Sequence, residues 1–196
     1  MSQLKQTPSQ TVGPFFAYGL TPTQYGYDLK SLFTPVLAQP HAKGEHIRIT
    51  GQVFDGAGQP ILDAMVEIGQ PDAQGQPVTS VAQAQATGFT GFGRCGTGTL
   101  PQHHYAFETV KPGVAAPGQA PFINVCVTMR GLLVHTFSRI YFDDEAAANS
   151  QDAVLASVPA ERRATLVARR EMTSTGPVYR FDIHMQGEQE TVFFDL

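Results

Sequence analysis

The sequence predicts an all-β protein: an antiparallel β-sandwich with an extended N-terminal arm and one or two short helices near the C-terminal third. Two observations support this prediction. Apolar and polar residues alternate with a period of two in several short segments, which is typical of half-buried strands. The 19 glycines and 14 prolines of the 196-residue chain separate these segments with turn-forming residues.

Residues 1–45 form the predicted N-terminal arm, because they follow neither the strand period nor the helix period. Proline and glycine interrupt this segment, yet it carries Phe15, Phe16 and Tyr18. Disordered tails are poor in aromatic residues. We therefore expect an ordered arm that packs its rings on its own chain or on a neighbouring subunit.

The predicted strands come after the arm, and two of the loops between them are alike. The loops "DGAGQPILD" and "DAQGQPV" contain Asp, Gly, Gln and Pro in the same order, which indicates two turns of similar chemistry. The chain closes on a further predicted pair of strands. The alternating segments are "HIRITGQVFD", "AMVEIGQ", "HYAFETV", "FINVCVTM", "HTFSRIYFD", "YRFDIHM" and, in the closing pair, "VYRFDIHMQ" and "ETVFFDL".

Residues 145–175 predict helix, in the segments "DEAAANSQDAVL" and "PAERRATLVARREM". Proline at position 159 is compatible with a first helical turn. We expect the four arginines of the second segment to form a solvated or subunit-facing side of the helix: Arg162, Arg163, Arg169 and Arg170. A chain of this length that is 42% hydrophobic suits one core, and we predict a single domain over residues 1–196.

The composition narrows the classes of partner. Only 15% of the residues are charged, against about 25% in ordinary globular domains, so we expect part of the surface to be covered. The net charge of −4 does not favour nucleic acid or an anionic membrane, and the chain contains no membrane-spanning apolar run. Cys95 and Cys126 lack metal-binding spacing and the N-terminus lacks a signal-peptide pattern, so we expect a cytoplasmic protein.

Three groups of residues are candidates for chemistry. Adjacent residues on a strand point to opposite faces, so His103 and His104 are poorly placed to share one metal ion. The carboxylates in the segment 142–145, "FDDE", suit either a cation site or the acidic start of a helix. Arg130 ends an apolar strand and offers a planar fork, either to a ligand carboxylate or to an acid of its own chain.

Several motifs together resemble the intradiol ring-cleavage dioxygenases: "TPSQTVGPFF", "GQVFDGAGQPILDAMVEI", "GFGRC", "TVKPG", "RIYFDDE" and "YRFDIHMQGEQETVFFDL". The resemblance runs almost from end to end. Within that family it is closest to the alpha chains of the enzymes that are built from two kinds of chain.

The resemblance also identifies the positions at which catalytic chains of this family hold Fe(III) with two tyrosines and two histidines. Val114 and Ala115 stand where Pro-Tyr would follow the Lys-Pro-Gly turn, and Phe122 and Asn124 stand where the histidines would. No tyrosine occurs in residues 70–94, which should supply the second phenolate. Alanine and phenylalanine offer no donor atom and an amide is a poor ligand for ferric ion. This chain is therefore predicted to ligate no metal.

The resemblance thus implies a hetero-oligomer in which a homologous beta subunit holds Fe(III). With O2 it would convert protocatechuate to 3-carboxy-cis,cis-muconate. The residues of this chain that would line the partner's substrate site are Thr11, Gly13, Pro14, Phe15 and Arg130. Phe15 occupies a position where related alpha chains often have tyrosine. The competing interpretation is a non-catalytic β-sandwich binding module.

Overall fold

The computed structural model describes residues 11–13 and 15–195. Within them lie nine strands: β1 (His46–Phe54), β2 (Met65–Gly69), β3 (Phe92–Gly96), β4 (His104–Val110), β5 (Ile123–Thr128), β6 (Thr136–Phe142), β7 (Val167–Thr173), β8 (Gly176–Arg180) and β9 (Ile183–His184). The α-helices are short: α1 (Phe16–Leu20), α2 (Val81–Thr87), α3 (Ala146–Asn149) and α4 (Ala153–Ser157). The prediction of a mostly β protein with a few short helices is confirmed. None of the helices in the described ranges is long and apolar enough to span a bilayer.

The strands hydrogen-bond in the order β3-β2-β5-β6-β7-β8-β1-β4, and β9 pairs with β1. Antiparallel pairing joins most neighbours. Three pairs are parallel instead: β1 with β8, β1 with β9, and β6 with β7. The expectation of purely antiparallel strands is wrong at these pairs, because long excursions between the strands bring them back in the same direction.

The core forms from the inward-facing positions of the alternating strands. On β1 the residues Ile47, Ile49, Gly51 and Val53 are buried, while the residues between them face outward or are half-buried. Apart from the glycine, they share one apolar cluster with side chains from β2, β5 and β6, among them Ile68 and Val125. The period of two in the sequence therefore sets which residues leave water.

The two similar loops fold in the same way, as their sequences predict. The Asp55 carboxylate accepts hydrogen bonds from the backbone N–H groups of residues 57 and 59, at 2.9 and 2.8 Å. The Asp72 carboxylate accepts from residues 74 and 76, both at 2.9 Å. Gly58 and Gly75 close the turns at φ of 74° and 80°, which a residue with a Cβ rarely adopts.

The second predicted helix, over residues 159–172, is wrong. A 3-10 turn covers Arg163–Leu166, and the chain then enters strand β7, which carries Arg169 and Arg170. Hydrogen bonding to β8 and to β6 on either side overrides the helix propensity of this arginine- and alanine-rich segment. The closing segment "ETVFFDL" is also no full strand, since only a single bridge joins Phe194 to Phe137.

The described part of the arm folds against the sheet. Tyr18 on α1 packs edge-on against Tyr25 with ring centroids 4.6 Å apart, and Tyr27 lies 5.8 Å from Tyr18. Gln24 fixes this segment to the edge strand β3: its amide donates to the Gly96 carbonyl at 2.7 Å and its oxygen accepts from the Gly96 N–H at 2.9 Å. This side chain thus extends the hydrogen bonding of the sheet edge into the arm.

Candidate functional site

Three residues stand, by sequence resemblance, at positions where catalytic chains of the family bind iron, and these three residues line one cavity. Ala115, Phe122 and Asn124 lie together around a space of about 470 Å³, which we call the Phe122 cavity. The remainder of its wall is Gln70, Pro71, Gly75, Pro77, Val78, Thr90, Gly91 and Phe92. Positions that the sequence separates are therefore brought to one place.

Backbone contacts between two loops position Ala115. The Gly113 N–H donates to the Asp72 carbonyl at 2.9 Å, which ties the Lys-Pro-Gly turn to the second aspartate loop. The approach is so close that a Cβ on Gly75 would meet the Val114 carbonyl oxygen at 2.0 Å. Glycine at position 75 is therefore required for this packing.

A row of cross-strand partners runs beside the cavity, and two of its members, Phe92 and Asn124, line it. Phe92, Gly69, Asn124 and Arg139 are successive partners across β3, β2, β5 and β6. Directly opposite residues share a face of the sheet, so these four positions face the same side. Gly69 leaves space between its neighbours, since a Cβ there would meet only a Phe92 ring carbon, at 3.9 Å.

The donor set of this cavity does not fit an iron ion. The side chains of Ala115 and Phe122 carry no ligand atom, and Asn124 offers only an amide. Ferric iron takes anionic oxygen and imidazole nitrogen. Across residues 11–13 and 15–195, no three His, Cys, Asp or Glu side chains gather as a metal site would require.

Phe122 has a packing role instead. The Arg139 guanidinium lies 4.0 Å from the centre of the Phe122 ring, a cation–π contact. Arg139 also contacts the Tyr141 hydroxyl at 3.5 Å, and that hydroxyl donates to the Asp152 carboxylate at 3.0 Å. Burial raises the pKa of Tyr141 to about 12, so the phenol stays neutral and keeps this bond.

Asp152 holds several elements together beneath this cluster. Its carboxylate accepts hydrogen bonds from the backbone N–H of Leu155, at the start of α4, and from that of Ala120, both at 2.9 Å. Burial opposes ionisation, but these donors and the Tyr141 hydroxyl outweigh it and lower the pKa of Asp152. The sequence carried one signal for this role, since Asp is a preferred N-cap residue.

Two of the predicted substrate-lining residues meet at a second place on the surface. The Gly131 N–H donates to the Thr11 hydroxyl at 3.0 Å, which places the arm beside Arg130. Arg130 forms an ion pair with Asp63, and 55% of its side chain remains exposed. The own-chain acid expected for Arg130 is therefore present, without burying the guanidinium.

The other predicted arm residues differ in their surroundings. The Gly13 carbonyl accepts from the Phe16 N–H at 3.2 Å, which starts the first turn. Phe15 is 77% exposed, and its ring centroid lies 6.0 Å from that of Tyr18. Pro14 lies outside the described residues.

The acidic residues of the segment 142–145 form ion pairs and hydrogen bonds with other residues of the same chain. Lys111 donates to Asp144 at 2.9 Å and pairs with Glu145 at 2.7 Å, while the Asp143 carboxylate accepts the Arg170 N–H. Burial opposes protonation of Lys111, but the Glu145 and Asp144 carboxylates outweigh it and raise the lysine pKa. These acids begin a 3-10 turn and bind a lysine of the Lys-Pro-Gly motif, which favours their structural interpretation.

The two adjacent histidines belong to different secondary-structure elements. His103 lies in the 3-10 turn Pro101–His103 with a φ of 57°, and His104 begins β4. His103 was therefore wrongly assigned to the strand, although the expected structural role remains. Of the two free cysteines, Cys95 is buried and Cys126 is half-buried.

The fold, the motif positions and the comparisons with known proteins all indicate the same protein family. A family model described as "Dioxygenase" matches residues 30–133, and the chain belongs to the intradiol dioxygenase family, which is known to use iron. The alpha chain of protocatechuate 3,4-dioxygenase from Burkholderia cepacia is 62% identical over 100% of both chains. The beta chain of the same name and organism is 29% identical, over 76% of this chain and 67% of that one.

A solved structure supports the same fold. The dioxygenase domain of a dioxygenase–carbohydrate-binding protein fusion from Streptomyces sp. SirexAA-E aligns with a TM-score of 0.62. The alignment covers 96% of this chain and 100% of that one at 22% identity. At this identity the similarity concerns the fold alone.

Proposed function

We propose that this chain is the alpha subunit of a protocatechuate 3,4-dioxygenase, and that it works with a homologous beta subunit that holds Fe(III). The assembled enzyme would cleave protocatechuate with O2 to 3-carboxy-cis,cis-muconate. One observation carries the proposal: a chain that is 62% identical to such an alpha chain over its full length has alanine, phenylalanine and asparagine, not tyrosine and histidine, around the cavity at the family's ligand positions.

In this proposal the residues of the chain bind and orient the substrate at the partner's site. Arg130 directs its guanidinium at the ring carboxylate of protocatechuate, and Thr11, Gly13, Pro14 and Phe15 form the adjoining wall. The exposed side chain of Arg130 supports this role, because a guanidinium retains donors beyond those used by one acid. A site that pairs a charged group rejects substrates that lack it.

The exposed apolar residues support a protein partner. Large apolar side chains that remain exposed are concentrated in one stretch of the N-terminal segment: Phe15, Leu20, Tyr27, Leu29, Leu32, Phe33 and Val36. Permanent subunit interfaces are more apolar than ordinary surface. We infer that the beta subunit covers part of this segment.

The proposal also includes the domain organisation and the cellular location of the chain. We take residues 1–196 as one domain, a β-sandwich with the arm 1–45, that acts in the cytoplasm. The shared core of β1 and β4 with β2, β5 and β6 supports two packed layers.

Co-expression tests the function directly. Expressed alone, the chain should bind no iron, show no ring cleavage and tend to aggregate, because its apolar segment lacks its partner. Co-purified with a beta chain that has intact Tyr and His ligands, it should yield an iron-containing enzyme that consumes O2 with protocatechuate. Iron content by metal analysis and oxygen uptake are the measurements.

Iron bound stoichiometrically by the isolated chain, together with ring cleavage, would overturn the proposal. A soluble, iron-free chain that neither associates with a beta chain nor changes its activity would instead favour the binding module. The high identity to an enzyme's alpha chain makes the dioxygenase the better supported of the two.

A further inference from the structure

A second cavity, of about 500 Å³, lies between the C-terminal strands and the segments on either side of them. Three arginines line it: Arg162 before the 3-10 turn Arg163–Leu166, Arg169 on β7 and Arg180 on β8. We call it the arginine cavity. The described function makes no use of it.

Two of these arginines are placed directly against each other. Arg169 and Arg180 are cross-strand partners in the antiparallel pair of β7 and β8, so both face the same side of the sheet. Like charges at directly opposite positions destabilise a sheet. An anion between them would turn this repulsion into attraction.

The third arginine has an unsatisfied donor. Arg162 donates one terminal N–H to the Glu190 carbonyl at 2.7 Å, but its Nε is buried and has no hydrogen-bond partner among the described residues. A buried donor without a partner costs free energy, and a charged one costs more than a neutral one. Because the Nε atom itself has no accessible surface, a ligand in the cavity would pair with the other N–H groups of Arg162, or with Nε after the side chain shifts.

The acids that line the cavity form no ion pair with its three arginines in the described part of the chain. Glu161, Asp182 and Glu188 also line the cavity, yet in the described part of the chain none of their carboxylate oxygens lies within 4.0 Å of a guanidinium nitrogen of the three arginines. Asp182 instead accepts the Gln52 N–H at 2.9 Å. The one ion pair is between Arg180 and Glu171, at 3.7 Å, and both side chains are more than half exposed, so its contribution is small.

We propose that the arginine cavity binds a small polycarboxylate, a molecule with two or three carboxylate groups. The planar fork of a guanidinium matches a carboxylate in geometry, and three forks from three segments suit more than one such group. The volume is that of a small-molecule site. None of the residues that line it belongs to the proposed substrate site at Arg130.

Titration calorimetry with citrate as the probe tests this site, on the complex with the beta chain. Citrate should bind to one site in each copy of this chain in the complex. Replacing Arg169→Gln or Arg180→Gln should weaken it at least about tenfold, since each removes a charge-assisted pair. Arg48→Gln is the matched control: it removes one exposed arginine charge, from the Glu108 pair on β1, and should leave citrate affinity unchanged.

Several outcomes would overturn the inference: no citrate binding, equal weakening by Arg48→Gln and Arg180→Gln, or binding of acetate or inorganic phosphate as tight as that of citrate. Thermal unfolding of each variant separates loss of binding from loss of folding. Oxygen uptake with protocatechuate should be unchanged in Arg169→Gln, so failure of the citrate site and failure of the proposed enzyme function give different results.

Discussion

At the scale of single residues, arginine side chains have different roles in this chain, depending on their neighbours. Arg139 lies on the Phe122 ring and supports packing, whereas Arg130 pairs with Asp63 and keeps most of its side chain exposed. Exposure and freedom to reorient are what a substrate-binding arginine needs. Arg130 is therefore the residue on which substrate recognition by this chain should depend.

We expect Arg130→Ala in the assembled complex to raise the KM for protocatechuate about tenfold or more, and to raise that for catechol much less. The reason is that only protocatechuate carries a carboxylate to pair with the guanidinium. Steady-state oxygen uptake with both substrates measures the effect. Asp63→Asn is the control, because it removes the internal partner and keeps Arg130 charged; its KM should stay close to the native value. Equal increases for the two substrates would contradict a carboxylate role.

At the scale of secondary-structure elements, β1 joins the two ends of the fold. It pairs with β4 along one edge and with β8 and β9 along the other. The Phe181 N–H donates to the Thr50 carbonyl at 2.8 Å, just beyond β8. Close approach at this crossing is possible because the next residue on β1 is glycine.

Gly51→Ala should destabilise the protein by about 2 kcal/mol or more, because overpacking and backbone displacement in a core cost this much. A Cβ there would lie 1.7 Å from the Phe181 carbonyl oxygen, a rigid backbone atom. Gly69→Ala is a matched strand control, since its Cβ meets only a ring carbon at 3.9 Å. The thermal midpoint of the complex should fall for the first variant and change little for the second. Equal midpoints would disprove the packing argument.

The period of two predicts best the strands whose alternate residues enter the core, as in β1 and β5. Strand β3 was missed because its sequence, "FGRCG", has glycines where apolar side chains would mark the buried face. Helix α2 was also missed, although Ser80 and Gln83 form the pattern of a capping box: the Gln83 N–H donates to the Ser80 hydroxyl at 3.1 Å.

The candidate functional site was likewise predicted only in part from the sequence. The motif positions Ala115, Phe122 and Asn124 were read from sequence and meet at one cavity. The environment of Phe122 was not foreseen, because it depends on Arg139 and Asp152, which lie on other elements and carry no local pattern. The wrong helix over residues 159–172 had a similar cause, since the strand pairing that decides it is distant in sequence.

At the scale of the whole molecule, two carboxylates connect distant parts of the chain. Asp152 joins the segment before β5 to α4, and Asp144 accepts hydrogen bonds from Lys111 and Tyr179. Burial opposes ionisation of both acids, but these donors lower their pKa values. Folding therefore favours the ionised forms, which makes stability depend on pH.

Acid should destabilise the fold. Because both folded-state pKa values are lowered, the stabilisation is present above the unfolded value of about 3.9 and is lost as the pH falls through the folded values. The thermal midpoint of the complex should drop steeply below about pH 4. Asp152→Asn should lower the midpoint at pH 7, by about 1–3 kcal/mol in stability, and should flatten this acid dependence. An unchanged acid dependence in that variant would contradict the assignment.

The pairing of β1 with the C-terminal strands also has a consequence for biosynthesis. Gln52 and Asp182, which hydrogen-bond beside this junction, are 130 positions apart along the chain. At ribosomal rates of about 5–20 residues per second, β1 waits on the order of ten seconds for these neighbours to be translated. During that interval one edge of β1 lacks its C-terminal neighbours, and an unpaired strand edge favours misassociation. We therefore expect the yield of folded chain to rise when chaperones or the beta chain are co-expressed.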